Sequence, residues 1–376
     1  MPTVLHIITG LDRGGAELQL RRTVDAFRRD GRQVVLSLRP SGALAPSIEE
    51  LGCQVVCANI GSRLLTTAQG VQSALKAVSQ QNFDVIVGWL YHGMTAAYAI
   101  RSWRFRRKPL IWMVRSSLAA YRGMSLSSRA NVRLARSLSK APEAIVYNSA
   151  RSAEEHATFG FANERSEVIH NGIDSGSFNF TEDARAKARR ELDVRPQEVL
   201  VGLVARYHPV KDHHSFIAGA RIVAEQNRDV RFALFGKGAD TENAELISKL
   251  RQAQLVDRFI LGGERVDMAC LLPGLDIAVN SSLSEGFSNT LAEAMMSQVP
   301  CVATDVGDSA VIVGTTGRVV RPSAPAEMAS ALTELILLSS EERRRLGVRA
   351  REHAVRNFST SAADSKFRAL LARIAP

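Results

Sequence analysis

The chain has 376 residues, 45% of them hydrophobic, which exceeds one ordinary core and suits two units of roughly 170 to 190 residues each. No run reaches about 18 uninterrupted apolar residues, and the four cysteines form no C-x2-C pair, which excludes a spanning helix and a conventional zinc module. The net charge of +10 is uneven, since residues 1–178 carry 22 Lys/Arg against 13 Asp/Glu and residues 179–376 carry 26 against 25.

The opening Met1-Pro2-Thr3 runs into a strand pattern rather than a basic and apolar leader, so a cytoplasmic location is expected. Short apolar runs then alternate with helical patterns, which predicts stacked βαβ units and a parallel sheet. Strands are expected at 4–8, 33–37, 55–58, 85–88, 110–114, 144–147 and 167–169. Gly14 and Gly15 open a helix after the first strand, and bare N–H groups at such a turn suit a phosphate; an ordinary tight turn is the plain alternative. Glu17 reads as a helix-surface residue, and Cys53 and Cys57 as buried, reduced thiols. Between Asp84 and Glu143 stand eleven Lys/Arg and no acid, with Trp103 and Phe105 among them, a pattern that suits an anionic lipid surface. No nucleic-acid motif accompanies these charges.

An aperiodic stretch at 172–181 reads as the linker. The second half repeats the alternation, with strands expected at 199–204, 230–235, 259–261, 277–280, 300–304 and 317–320 and a basic helix over 361–374. The expected division is 1–172, 173–358 and a final helical segment, 359–376. Ligands of doubly wound sheets bind beyond the carboxyl ends of the strands, so the loops there are where chemistry is sought.

Arg206 and Lys211 follow the strand at 199–204, and together they offer a planar fork and a compact charge to phosphate oxygens. Gly236 and Gly238 follow the strand at 230–235, and residues 262–266 follow the next one. The most informative segment is SEGFSNTLAEAMM at 284–296, which separates Glu285 from Glu293 by seven residues. Ser288 or Asn289 is the expected cap of a helix whose open N–H groups and dipole form an anion site. Two carboxylates could also suggest a glycosidase, but that chemistry requires both to flank one bond.

VLHIITGLDRGGAE, IHNGID, LVARYHPVKDH, FGKG and the E-x7-E segment occur in this order over nearly the whole chain, and together they resemble the retaining GT-B glycosyltransferases of family four. The resemblance implies two facing Rossmann-like domains, one for the acceptor and one for a nucleotide sugar, with a cleft between them and a last helix that returns to the first domain. It assigns Arg206 and Lys211 to the diphosphate, Glu285 to the transferred sugar and Glu293 to the ribose. Phe287, Ser288, Asn289 and Thr290 supply further contacts, and Gly236 and Gly238 pass beneath the nucleotide. Many members carry a His after the strand equivalent to 110–114; this chain has Arg115-Ser116-Ser117 there, which leaves Arg115 and His92 as candidates to replace it.

The implied function is transfer from a UDP- or GDP-sugar to a lipid-linked or saccharide acceptor in polysaccharide or glycolipid synthesis, at the inner membrane face. No cofactor or metal is expected, because no DxD-like pair ends a strand and His213-His214 lack a third ligand at a matching spacing. Rival readings are a GT-B epimerase, a non-catalytic sugar-nucleotide binder and an NAD-dependent oxidoreductase. The last lacks its fingerprint, because Gly10, Gly14 and Gly15 do not match G-x-G-x-x-G.

Overall fold

Val, Ile and Leu fill the strand patterns with little polar alternation, as happens when helices cover both faces of a parallel sheet. The computed structural model describes residues 2–12, 14–60, 64–119 and 121–375, the side chains of 64–69 and 122 excepted. Arg13 of the glycine loop and the Arg122 side chain therefore lie outside the described residues. The chain divides into two units, Met1–Gly172 with Thr360–Pro376, and Ile173–Ser359.

In the first unit β1 (Val4–Ile8), β2 (Gln33–Ser37), β3 (Gln54–Cys57), β4 (Val85–Trp89), β5 (Leu110–Val114), β6 (Ala144–Tyr147) and β7 (Ser166–Val168) form a parallel sheet in the order β3-β2-β1-β4-β5-β6-β7. Side chains alternate in β1, so Leu5 and Ile7 join one core cluster and Val4 and Ile8 the other. His6 is buried on the second face. Trp89 Nε1 donates to its Nδ1 at 3.1 Å, and Gln33 Oε1 lies 3.0 Å from its Nε2. Burial pushes its pKa down to about 4. Helix Thr360–Ile374 completes this core, setting Phe367 edge-on to Phe27 of helix Gly15–Phe27 at 5.4 Å.

In the second unit β8 (Val199–Val204), β9 (Val230–Phe235), β10 (Phe259–Gly263), β11 (Ile277–Asn280), β12 (Cys301–Thr304) and β13 (Arg318–Val320) take the order β10-β9-β8-β11-β12-β13, again parallel. Strand ends move by a residue or two from the expected positions, β4 and β10 running longer, β12 and β13 shorter. Cys53 is buried and Cys57 is only partly so, and neither is bridged.

Strand order reverses where β1 meets β4 and where β8 meets β11. At such switch points the two flanking loops diverge and leave a crevice at the carboxyl edge. Gly14 and His92 follow β1 and β4. Arg206, Lys211 and Glu285 follow β8 and β11.

Candidate active site

At the second switch point the chain leaves β8 through Arg206, makes the short turn Pro209–Lys211, and enters helix His213–Gln226 at Asp212. Asp212 holds the left-handed conformation, φ 44°, and its carboxylate caps the helix by accepting from Ser215 N at 3.1 Å and Ser215 Oγ at 2.6 Å. Across the switch point Ser281 Oγ donates to the Lys211 carbonyl at 2.7 Å, and Leu283 N to the Val210 carbonyl at 2.8 Å. These bonds clip the β8 and β11 loops together and fix what their side chains can reach.

The result is a contact 74 residues apart in sequence: Lys211 Nζ lies 2.5 Å from Glu285 Oε1. The same oxygen accepts from Ser282 Oγ at 2.7 Å and Asn280 Nδ2 at 3.3 Å. Lys211 is 22% exposed and Glu285 12%, so the pair is partly desolvated and stays within reach of a ligand. An ammonium has three donors and Glu285 takes one, which leaves Lys211 able to bridge its carboxylate and a second anion. Arg206 is exposed and has no side-chain hydrogen bond or ion pair among the described residues.

Two glycines let the loops close. Gly236, at φ 136°, would carry a Cβ 2.3 Å from the Ala205 carbonyl, beside Arg206, and its N–H is bound to Gly263 O at 2.6 Å. Gly307, at φ 54°, would carry one 2.4 Å from the Gly286 carbonyl and 2.6 Å from that of Glu285. Gly238, at φ 76°, turns its carbonyl to Asn243 Nδ2 at 2.7 Å.

Helix Asn289–Met296 begins after Ser288, but Ser288 makes no side-chain cap bond. Its hydroxyl instead accepts from Asn280 Nδ2 at 2.9 Å and lies 3.3 Å from Thr290 Oγ1. Ser288 thus stands at the expected cap position, with its side chain tied to the end of β11 instead of covering the first turn. The Phe287 side chain is 6% exposed and packs edge-on to Phe358, ring centroids 5.4 Å apart. Glu293 stands on the same short helix, partly buried, with Asn289 and Thr290 in its first turn.

The carboxyl edge of the first unit is arranged differently. Arg115, expected to face an anionic group, donates from Nη1 to the Ile169 carbonyl at 3.1 Å and to Asn171 Oδ1 at 3.2 Å. Its guanidinium also lies over the Trp89 ring at 5.4 Å, and desolvation lowers its pKa to about 9. Arg115 therefore staples β5 to the segment after β7. His92, exposed in the first turn of helix Leu90–Arg104, is held toward its neutral form by desolvation and by Arg39. Glu17 is more than a surface residue. A Cβ on Gly14 would lie 2.3 Å from its Oε2, so its carboxylate lies against the turn, while Gly15 faces open space. His213 is buried against Tyr207, ring centroids 5.0 Å apart, and does not join exposed His214 as a ligand pair.

Asn280, Ser281, Ser282 and Gly307 belong to the site and were not singled out in the sequence. The available signal was a polar Asn-Ser-Ser triplet ending an apolar strand immediately before the two-glutamate segment.

Two family models match the chain in succession: "Glycosyltransferase Family 4" over residues 13–176 and "Glycosyl transferases group 1" over residues 198–337. The chain is similar to EpsF of Bacillus subtilis (strain 168), named a glycosyltransferase, with 25% identity over 320 residues that cover 80% of this chain and 79% of that one. It is 26% identical over 255 residues to the lipopolysaccharide core biosynthesis mannosyltransferase LpsB of Rhizobium meliloti (strain 1021), covering 66% and 70% of the two chains. Its fold matches a crystal structure of Anabaena Alr3699/HepE in complex with UDP-glucose, with a TM-score of 0.85, 21% identity and coverage of 99% and 100%.

Proposed function

Since the chain belongs to glycosyltransferase family 4 and has the two-unit α/β architecture of the GT-B enzymes, we propose that it moves a sugar from a UDP- or GDP-sugar to a lipid-linked or saccharide acceptor, with retention of anomeric configuration and no metal requirement. The observation that carries this reading is the Lys211–Glu285 contact at the β8/β11 switch point, with Arg206 of the same loop exposed and without a side-chain partner among the described residues. A donor diphosphate bound there meets two cations from one loop and the N-terminal end of helix Asn289–Met296, where Ser288 makes no side-chain cap bond. Glu285, kept in place by Lys211, Ser282 and Asn280, is oriented toward the sugar side. Glu293, a turn into the helix, reaches the ribose hydroxyls.

In the reaction the bond from the anomeric carbon to the diphosphate oxygen breaks, and the acceptor hydroxyl oxygen bonds to the same face of that carbon. The hydroxyl proton passes to the departing diphosphate oxygen. Arg206 and Lys211 stabilise the charge that develops on the leaving group, and such preorganised electrostatics is the main rate term. The UDP-glucose held by the HepE structure and the mannosyl transfer in the name of LpsB support a nucleotide-sugar donor. Family membership removes the oxidoreductase and the non-catalytic binder. The basic first unit, with its acid-free stretch between Asp84 and Glu143, supports an acceptor at an anionic inner membrane face. Among the described residues no helix is long and apolar enough to cross a membrane.

A thermal-shift screen of UDP- and GDP-sugars tests the reading. One nucleotide class should stabilise the wild type, with the shift reduced in Lys211→Ala and Glu293→Ala. NMR of the product should show a retained anomer in the presence of EDTA. Equal shifts in wild type and both variants, or an EDTA-sensitive reaction, would contradict it.

A further inference from the structure

Helices Leu64–Ser79 and Leu90–Arg104 both pack on the face of the first sheet that carries Leu5 and Ile7. They leave between them a groove of about 250 Å³ whose walls, among the described residues, are almost wholly apolar, including Leu36, Leu38, Ile60, Leu75, Ile100 and Trp103. Leu38 and Ile60 lie just past β2 and β3, on the carboxyl edge that also bears Gly14, His92 and Arg115. Helix Leu90–Arg104 starts at that edge and runs back toward the start of β5, so Trp103 in its last turn marks the far end.

Trp103 is 62% exposed, whereas Trp89 and Trp112 are fully buried. An indole left in water at the mouth of an apolar groove needs a reason, and the residues after it supply one. Arg104, Arg106 and Arg107 are exposed, and none has a carboxylate partner among the described residues. Their neighbours Arg101 and Lys108 are, by contrast, paired to Glu143 and Asp84.

The chemistry of the walls selects the occupant. A peptide would bring N–H and C=O groups that these side chains cannot pair, each a desolvation penalty. A second copy of the chain would bring like charge to a basic mouth, since the net charge is +10. A hydrocarbon chain has no polar group to satisfy, and an anionic head at its end would meet the three arginines.

We infer that this groove takes the acyl chain of an anionic phospholipid, with Trp103 at the interface and Arg104, Arg106 and Arg107 against the phosphate. The inference rests on the proposed membrane-surface reading and gives it a definite site, on the helix pair and outside the switch-point loops. A lipid so held fixes how the first unit lies on a bilayer, with the carboxyl edge of its sheet at a set height above the headgroups.

Because the other two tryptophans are buried, Trp103 is a built-in probe. A lysophosphatidylglycerol with a brominated acyl chain, used below its micelle concentration, should quench tryptophan emission saturably. Trp103→Ala should leave a residual emission that the probe does not quench. Ala96→Phe, which fills the groove, should abolish saturable quenching. Arg104→Ala/Arg107→Ala should weaken it by roughly fivefold per arginine while leaving the fold intact. Unchanged wild-type emission, or equal quenching in Ala96→Phe, would overturn the groove. Sedimentation with phosphatidylglycerol vesicles separates this from the surface reading. Vesicle binding with unquenched Trp103 removes the groove alone; quenching by the monomeric probe without vesicle binding keeps the groove and removes the surface reading.

Discussion

The two units share a parallel-sheet plan and a reversal of strand order, yet their carboxyl edges handle charge in opposite ways. In the second unit Lys211 and Glu285 meet across the β8 and β11 loops, partly exposed, and Arg206 has no side-chain partner among the described residues. In the first unit Arg115 is bound to Ile169 and Asn171, and the Glu17 carboxylate lies against the Gly14 turn. The lesson is that the same architecture separates roles by where side-chain hydrogen bonds end. Arg115 and Glu17 are engaged by the backbone and turns of their own edge and shape it, whereas Lys211, with donors to spare, and exposed Arg206 remain available to a ligand.

Acid is the strongest lever on both units. Burial pushes His6 and His156 of the first unit, and His213 of the second, down to about 4 from an ordinary 6.5. Between those values the unfolded chain binds protons that the folded chain refuses, so the stabilisation is complete above 6.5 and is lost as pH falls toward 4. Each histidine contributes on the order of 3 kcal/mol over that window. Two of the three lie in the first unit, but Asp364 there is pushed up to about 6 by burial and works in the opposite sense, so amide exchange should report both units opening over the same acid window; opening of either unit above pH 6.5 would break this account.

Lys211→Ala comes next. Loss of one preorganised cation at the leaving group should lower kcat about 100- to 1000-fold, measured by release of the nucleotide diphosphate, whereas Arg115→Lys should mainly lower Tm. Equal catalytic losses in both variants would erase the division of roles. Glu293→Gln is smaller, weakening donor binding by roughly 10-fold through lost charged hydrogen bonds, with kcat less affected. Calorimetric titration of the donor sharpens this point, and an unchanged affinity would take Glu293 out of the ribose contact.

Much of this was legible in the chain. The strands were, because apolar runs of Val, Ile and Leu and the helical patterns between them are local signals. Lys211 and Glu285 were too, because the segments carrying them are distinctive. Their mutual contact was not, since it depends on β8 lying beside β11, which no local pattern encodes. The same reason hid Gly307, whose need for a missing Cβ comes from Glu285 and Gly286 on another loop. Ser288 was recognised as the helix boundary, but its hydroxyl was drawn to Asn280, a partner eight residues back on a strand end. Arg115 looked like a ligand-facing charge because the carbonyls that engage it come from the far side of β6 and β7.

Hydrogen exchange with and without a stabilising nucleotide sugar tests the central claim most directly. Slowed exchange should concentrate in residues 205–212 and 281–293 of the second unit, where Arg206, Lys211, Glu285 and Glu293 stand. Protection confined to the loops after β1, β4 and β5, with those second-unit segments unchanged, would contradict the account.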